Sequence, residues 1–232
     1  MAATSSGEPF VKKEALRRII HDIKELQKNP LTAHGIYYEH DDTDMLKGRA
    51  LIIGPADTPY ADGFYLFTFQ FPANYPHVPP KVEFCTSDGI TRFNPNLYRT
   101  GKVCLSILNT WKGEPWSGCQ TMSSVLLALC TILNDEPLLN EPGITKSHRD
   151  YDAYNAIIAY KNIEVAMFGM LNQVCAPKDN DFAIFGDIMR KYFQEQKEKI
   201  RQRVLAGETK EYAISVYRMT VLTDYATLLL KF

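Results

Sequence analysis

The stretch from Gly63 to Phe84, GFYLFTFQFPANYPHVPPKVEF, carries the strongest indication of fold in the sequence. Its first ten residues follow a two-residue period that places four aromatic side chains on one side of a predicted strand: Tyr65, Phe67, Phe69 and Phe71. The closing KVEF begins another strand. The four prolines between these strands remove backbone donors and restrain the residues before them, so we predict a stiff connection. That connection is either a rigid link within a sheet or a recognition surface, and the residues favour neither.

The elements on either side of this stretch predict an α+β fold. A helix is predicted at residues 14–30, where apolar residues share one face: Leu16, Ile19, Ile20, Ile23 and Leu26. Residues 48–55, GRALIIGP, form a short predicted strand, and helices follow at 121–133, with Thr121 as N-cap, and at 150–172. Because helix, strands and helices are segregated along the chain, we expect an antiparallel meander rather than alternating βαβ units.

The chain divides into three predicted parts. Residues 1–10 are expected to be a flexible tail, 11–175 a core domain and 176–232 a helical C-terminal extension. Helices are predicted in the extension at about 181–205 and about 209–230, and the first carries apolar residues at helical spacing: Phe182, Phe185, Met189, Tyr192 and Phe193. These side chains either pack against the core, which we favour, or form a docking surface for a partner.

Composition and charge indicate an ordinary globular protein. Of the 232 residues, 45% are hydrophobic, which is enough to bury a core. The formal net charge of −1 gives no reason to expect a nucleic-acid or membrane partner. The N-terminus lacks the apolar segment of a signal peptide, and the most apolar run, VLLALCTIL, is too short to cross a bilayer. We therefore expect a soluble protein of the cytoplasm, the nucleus or both.

The cysteines are odd in number and include no CxxC pair: Cys85, Cys104, Cys119, Cys130 and Cys175. A disulfide framework and a zinc site are therefore not expected, and a reducing compartment is.

The segment RFNPNLYRTGKVCLSIL, residues 92–108, delivers Cys104 from a turn rich in Asn, Pro and Gly. A nucleophilic cysteine needs access, polar donors and a group that stabilises the charge of the transition state. The amide of Asn96, eight positions earlier, can donate to a developing oxyanion without titrating. The alternative is that Cys104 is a small core residue, which is the commoner fate of a free cysteine.

Hydrolase and phosphatase chemistry fit this thiol poorly. A cysteine hydrolase needs a histidine base. The histidines of the chain are His21, His34, His40, His77 and His148, and none lies in a local signature that would place it beside Cys104. The sequence CLSILNT also lacks the glycine-rich, arginine-closed loop that a phosphatase needs. A thiol without an evident strong base suits a nucleophile that accepts an acyl group already activated elsewhere.

Several segments, in order, resemble the ubiquitin-conjugating enzymes. They are GPADTPYADGFYLFTFQFPANYPHVPPKVEF, FNPNLYRTGKVCLSIL, the pair Trp116-Ser117 and MSSVLLALCTIL, and together they cover roughly residues 13–172. The resemblance implies an N-terminal helix, a four-stranded antiparallel meander and C-terminal helices. CLSILNTW and NEPG further resemble a branch of large members of this family.

The resemblance also implies a transfer cysteine at Cys104 and a helper asparagine at Asn96. Cys104 would carry ubiquitin as a thioester before transfer to a lysine or a ligase cysteine. Asn94 stands where the family usually has histidine, and an asparagine can brace the turn by hydrogen bonds as well. Ser106 replaces a residue that is commonly acidic. Four residues are candidates to face the incoming lysine: Asp135, Glu136, Asn140 and Glu141.

Partners follow from the same resemblance: ubiquitin or a ubiquitin-like modifier, an activating enzyme, a ligase and substrate proteins. The activating enzyme is expected to contact four basic residues of the first helix, Arg17, Arg18, His21 and Lys24, and a merely solvated helix face is the alternative. The ligase is expected to contact two loops that contain His77, Trp116, Gly118 and Cys119. These loops depart from the family pattern, which argues against binding to common RING-type ligases. No bound cofactor or metal is expected, because the activating enzyme uses the ATP. A non-catalytic ubiquitin-binding variant of the fold is the alternative, and retention of Cys104 argues against it.

Overall fold

The computed structural model describes residues 11–172 and 182–232. The predicted flexible tail at 1–10, the predicted domain boundary at 175/176 and Cys175 lie outside the described residues.

The predicted N-terminal helix is confirmed as α1, Lys13–Lys28, but its buried face differs from the predicted one. Ile19 and Leu26 are buried as expected, whereas Ile20 is 41% exposed and Asp22 is buried. Asp22 takes its place in this face because the Tyr75 hydroxyl donates to its Oδ2 atom at 2.5 Å. A buried carboxylate needs such partners, and apolar spacing alone could not predict it.

Four strands form one antiparallel sheet in the order β1-β2-β3-β4, which confirms the meander. The strands are β1 Ile36–His40, β2 Lys47–Ile53, β3 Phe64–Gln70 and β4 Lys81–Phe84. Sequence periodicity had picked out β2, β3 and β4 but not the short β1.

The two faces of β3 are both buried, against different elements. Tyr65, Phe67 and Phe69 point into a cluster that also holds buried residues of α1 and the later core helices. Phe64 and Leu66 point to the other side, into a second cluster that includes the C-terminal extension. The two-residue period was therefore predicted correctly, while the burial of its second face was not.

The proline-rich connection between β3 and β4 is anchored at its centre. The Tyr75–Pro76 peptide bond is cis, and the indole Nε1 of Trp116 donates to the Pro76 carbonyl at 2.6 Å. Tyr75 is itself 1% exposed and fixed to Asp22 of α1. These contacts agree with the predicted stiffness of the connection.

The core helices follow the sheet as predicted. Helix α2, Met122–Thr131, begins at Thr121, whose side chain accepts from the Ser124 N–H in a capping box. Helix α3, Tyr151–Lys161, continues as a π-helical turn through Asn162–Gly169.

The π-helical turn begins where Asn162 inserts against the sheet. Its Nδ2 donates to the Ala61 carbonyl at 2.8 Å, and its Oδ1 accepts from the Tyr65 hydroxyl at 2.6 Å. A side chain at Gly63 would meet that Oδ1 atom at 1.8 Å, so the close approach requires glycine there.

The extension contains one of the two predicted helices. Helix α4, Gly186–Leu205, confirms the first, but the helix predicted at about 209–230 is wrong. That region forms a hairpin of β5, Glu211–Ile214, and β6, Met219–Leu222, followed by the short α5, Tyr225–Leu229. The physical reason is local: the strands carry the β-branched and aromatic residues Tyr212, Ile214, Thr220 and Val221, which favour a pleated surface, and Arg218 adopts a positive φ of 50° that breaks any helix.

The extension packs against the core, which confirms the favoured interpretation of its apolar residues. Phe182, Phe185, Met189 and Phe193 are all less than 9% exposed and share a cluster with Leu51, Ile53, Phe64 and Leu66 of the sheet. Across 11–172 and 182–232, no helix combines the length and apolar character needed to cross a membrane.

Candidate active site

Cys104 and Asn96 are joined by two hydrogen bonds. The Cys104 N–H donates to the Asn96 carbonyl at 2.9 Å, and Asn96 Nδ2 donates to the Cys104 carbonyl at 2.7 Å. Gly101, with a φ of 87°, turns the chain between them. The structure therefore brings together the two residues that the sequence singled out, although they lie eight positions apart.

Asn94 braces this turn from below. It is fully buried, and its Nδ2 donates to the Tyr60 hydroxyl at 2.8 Å and the Ile132 carbonyl at 2.7 Å. Its Oδ1 accepts from the Asn96 N–H at 2.9 Å. The expectation that an asparagine can brace the turn by hydrogen bonds agrees with these contacts.

The Cys104 side chain is enclosed, since the residue is only 1% exposed. From the sequence, an accessible thiol is expected at this position, whereas the structure presents a buried one. The other described cysteines differ: Cys119 is exposed, whereas Cys85 and Cys130 are half-buried. Burial raises the pKa of the Cys130 thiol, which makes it a poorer nucleophile.

The four candidates for the lysine-facing residue separate clearly in space. Asn140 Nδ2 contacts Asn94 Oδ1 at 3.4 Å, and Glu141 accepts from the Tyr217 hydroxyl at 2.5 Å. Glu136 instead forms an ion pair with Lys146, and Asp135 lines a surface cavity next to His34 and Pro55. Asn140 is therefore the candidate with a direct contact to the Asn94–Asn96 turn, and Glu141 is its neighbour in the sequence.

Arg92 supports the same turn, and sequence reasoning missed it. Its Nε donates to the Asn94 carbonyl at 3.0 Å and its Nη2 to the Pro95 carbonyl at 2.7 Å. Its guanidinium carbon lies 3.4 Å from the centre of the Tyr98 ring. Arg92 and Tyr98 flank the turn closely in the sequence, so their contact could have been predicted from the segment alone.

Comparison with known proteins identifies the fold that carries this turn. The family model described as "Ubiquitin-conjugating enzyme" matches residues 18–162, which is more than half of the chain.

The chain belongs to the ubiquitin-conjugating enzyme family. Its sequence is 42% identical over 185 residues to ubiquitin-conjugating enzyme E2 Z of Xenopus tropicalis, covering 78% of this chain and 57% of that protein. The human protein of the same name is 37% identical over 222 residues, covering 94% and 62%. A further relative is the human dual E2 ubiquitin-conjugating enzyme/E3 ubiquitin-protein ligase BIRC6, 38% identical over 189 residues, covering 74% of this chain and 4% of that protein.

These relatives confirm the resemblance to a branch of large ubiquitin-conjugating enzymes, and two of them are E2 Z proteins. The chain spans about three-fifths of the length of the E2 Z proteins that it matches.

The basic face of α1 in this ubiquitin-conjugating enzyme has three exposed side chains and a fourth that is held by hydrogen bonds. Arg17, His21 and Lys24 are exposed. Arg18 is engaged: its Nε donates to Asp22 at 2.9 Å and its Nη1 to the Gly118 carbonyl at 2.8 Å. Arg18 therefore joins α1 to the loop after the Cys104 segment rather than standing free in solvent.

The predicted ligase-contact residues are similarly divided. His77, Gly118 and Cys119 are exposed on neighbouring loops, and His77 Nε2 lies 3.4 Å from Glu14 Oε1. Trp116 is 8% exposed, with its indole tied to the Pro76 carbonyl, so it supports the loop from inside. In the part of the chain that the structure describes, no three His, Cys, Asp or Glu residues are grouped to hold a metal ion.

Proposed function

We propose that this ubiquitin-conjugating enzyme accepts ubiquitin, or a ubiquitin-like modifier, as a thioester on Cys104 and transfers it to a lysine or a ligase cysteine. The observation that carries the proposal is the pair of hydrogen bonds between Asn96 and Cys104, at 2.7 and 2.9 Å. They hold a neutral amide donor beside the backbone of the one cysteine that sits in the family's active-site segment.

Two acyl transfers make up the proposed cycle. In the first, the Cys104 thiolate attacks the carbonyl of the thioester on the activating enzyme, and that enzyme's cysteine leaves as a thiolate. In the second, a neutral amine nitrogen attacks the new thioester, the Cys104 thiolate leaves as the C–S bond breaks, and the proton lost by the nitrogen passes to water. Exchange between two thioesters is nearly neutral in energy, so the first step needs no strong base on this chain.

Asn96 is the proposed helper in the second transfer. Its Nδ2 atom carries two hydrogens, and the hydrogen bond to the Cys104 carbonyl uses one of them. The other is available to a developing oxyanion, and a donor that is already held in place loses little entropy when the charge appears. The lysine must lose its proton and its water, which a partly dry site favours.

Partners and compartment are part of the same proposal. The activating enzyme supplies the modifier and spends the ATP, so this chain needs no bound cofactor or metal. Its docking face comprises Arg17, His21 and Lys24, which are exposed on α1. Ligase contact is proposed at His77, Gly118 and Cys119, with target proteins as acceptors. Free cysteines of this kind suit a reducing compartment, so we place the activity in the cytoplasm, the nucleus or both.

A non-catalytic ubiquitin-binding role is the second candidate, and one observation favours it. Cys104 is 1% exposed, and a thiol that never opens could not carry a modifier.

Charging separates the two candidates. The chain is mixed with activating enzyme, ATP and ubiquitin, and the products are run on a non-reducing gel. We expect a band larger by one ubiquitin that collapses with reductant and is absent for Cys104→Ala, while Cys119→Ala, which removes the exposed cysteine, still charges. If the parent binds ubiquitin but forms no such band with ubiquitin or with a ubiquitin-like modifier, the result supports the non-catalytic role.

A further inference from the structure

We infer that Tyr217, at the turn of the β5–β6 hairpin, is a positioning residue for transfer from Cys104 to lysine. The inference rests on the proposed function and concerns a part of the chain that a minimal conjugating core does not contain. Residues far apart in sequence are involved, since Tyr217 and its partner Glu141 are separated by 76 positions.

The hairpin turn is docked firmly beside the active-site segment. Asp150 Oδ2 accepts from the Ser215 N–H at 2.8 Å, the Ser215 hydroxyl at 2.7 Å and the Val216 N–H at 3.0 Å. Burial opposes ionisation of Asp150, but these hydrogen bonds outweigh it and lower the pKa of the carboxyl. Arg99 Nη2, on the loop that leads to Cys104, donates to the Tyr217 carbonyl at 2.8 Å.

The ring of Tyr217 supports the turn that carries Asn96. Its centre lies 5.3 Å from the guanidinium carbon of Arg92, within reach of a cation–π interaction. Arg92 in turn holds the carbonyls of Asn94 and Pro95. The N–H of Arg92 also points at the sulfur of Met219 on β6, at 3.2 Å. The hairpin therefore contacts the residue that fixes the backbone next to Asn96.

The hydroxyl of Tyr217 also holds the side-chain carboxylate of Glu141, at the rim of the turn that carries Asn96. It donates to Glu141 Oε2 at 2.5 Å, and Glu141 directly follows Asn140, whose amide contacts Asn94. Burial, together with Glu141, raises the pKa of Tyr217, so the phenol stays protonated and remains a donor. A phenol that donates to one carboxylate oxygen leaves the other oxygen free to accept.

A carboxylate held next to the residue that contacts Asn94 has a definite use in transfer to lysine. The lysine arrives as a cation, and a negative charge fixed at the rim attracts and orients it before the proton is lost. Because Tyr217 already fixes Glu141, the acceptor does not have to order that side chain when it binds. If the phenol instead blocked Glu141, removing its hydroxyl would speed transfer to lysine rather than slow it.

The test uses the full chain, charged with ubiquitin and chased with free lysine over a range of concentrations. Tyr217→Phe keeps the ring beside Arg92 and removes only the donor to Glu141. We expect charging within about twofold of the parent and a fall of about fivefold to tenfold in kcat/KM for lysine, the loss expected for one hydrogen bond. Most of the change should be a rise in KM, because the carboxylate acts on acceptor binding.

Two further variants make the result specific. Glu141→Gln should lower kcat/KM by a similar factor, and Tyr217→Phe added to Glu141→Gln should cause no further loss, since the two residues act as one unit. Tyr212→Phe is the matched control, because this half-buried hairpin tyrosine makes no hydroxyl hydrogen bond in the described part of the chain.

The outcomes are distinct from those that test the proposed function. A parent that charges, together with a Tyr217→Phe variant that discharges as fast as the parent or faster, overturns the inference and leaves the thioester cycle standing. Equal losses in charging and discharge would also overturn it, because they indicate a general structural effect. A parent that never charges refutes the proposed function, and the inference with it.

Discussion

Asn96 Nδ2 donates to the Cys104 carbonyl at 2.7 Å, so the proposed helper is bonded to the backbone of the proposed nucleophile. We expect Asn96→Ala to charge nearly normally and to discharge to lysine about 10²–10³ times more slowly, the usual effect of losing an oxyanion donor. Single-turnover discharge of preloaded protein measures this rate. Equal rates for the variant and the parent would refute the role of Asn96 in transfer.

The exposed basic face of α1 should act only in charging. Reversing Arg17 and Lys24 to glutamate is expected to slow charging and to leave discharge of preloaded enzyme unchanged, because we assign this exposed face to the activating enzyme alone. Added salt should slow charging of the parent, since exposed charges are screened over about 8–10 Å near physiological ionic strength. Charging that responds to neither change would show that this face is only solvated surface.

Arg18 needs separate treatment, because its contacts give it a structural role. Its partner Asp22 has a side chain that is 1% exposed, and removing the arginine leaves that carboxylate without its ion pair. We therefore expect Arg18→Ala to lower the denaturation midpoint, whereas Arg17→Ala does not. Slow charging by Arg18→Ala would then report a disturbed loop at Gly118 and not a lost activating-enzyme contact.

A partly buried ion pair between Arg203 and Asp62 should hold α4 on the core. Arg203 Nη2 lies 2.8 Å from Asp62 Oδ2, and the Asp62 side chain is 4% exposed. Because Arg203 is about one-third exposed, we expect Arg203→Met to destabilise by about 2 kcal/mol, below the usual range for a fully buried pair.

The control for this prediction lies on the same helix. Arg201 is 47% exposed and 3.9 Å from Glu198, so Arg201→Met should change stability by less than about 0.5 kcal/mol in urea unfolding. Equal effects of the two substitutions would mean that the Asp62 pair contributes nothing specific.

His40 should make the fold less stable in mild acid. The Met45 carbonyl can only accept, so the ring donates from Nε2 at 3.1 Å and accepts from the Tyr38 hydroxyl at Nδ1, 2.8 Å away. Burial lowers the pKa of His40 below its ordinary value of 6.5 despite hydrogen-bonding and charges that favour the cation. The unfolded chain therefore binds a proton first, and stability falls as the pH drops from about 6.5 towards the folded pKa.

Urea midpoints at pH 7.5 and 5.5 measure this loss. His40→Gln should remove part of the pH dependence, while His34→Gln, at an exposed position, should retain it. An unchanged dependence in His40→Gln would assign the effect to other groups.

Local patterns predicted much of this molecule, and contacts between distant residues account for what they missed. The alternation of Tyr65, Phe67 and Phe69 specified β3, because a two-residue period fixes which side chains share a face. Asp22 could not be predicted inside α1, since its partner Tyr75 lies 53 positions away.

The hairpin shows the same limit at the active site. The sequence predicts a helix at about 209–230, whereas the structure has the β5–β6 hairpin there. Without the hairpin, nothing could indicate that Tyr217 reaches Glu141, or that Arg92 connects it to the turn of Asn96. Asn96 and Cys104 could be predicted as a pair because they lie in one segment, whereas Tyr217 and Glu141 come from elsewhere in the chain.

The central claim is that Cys104, and no other cysteine, carries the modifier. Cys104→Lys replaces the thiol with an amine, so charging should leave a stable isopeptide in place of a thioester. After charging with activating enzyme, ATP and ubiquitin, proteolysis and mass spectrometry locate the ubiquitin remnant. We predict a remnant at residue 104 in Cys104→Lys and no reductant-sensitive adduct in Cys104→Ala. A full thioester in Cys104→Ala, or a thioester mapped to Cys85, Cys119 or Cys130 in the parent, would contradict the account.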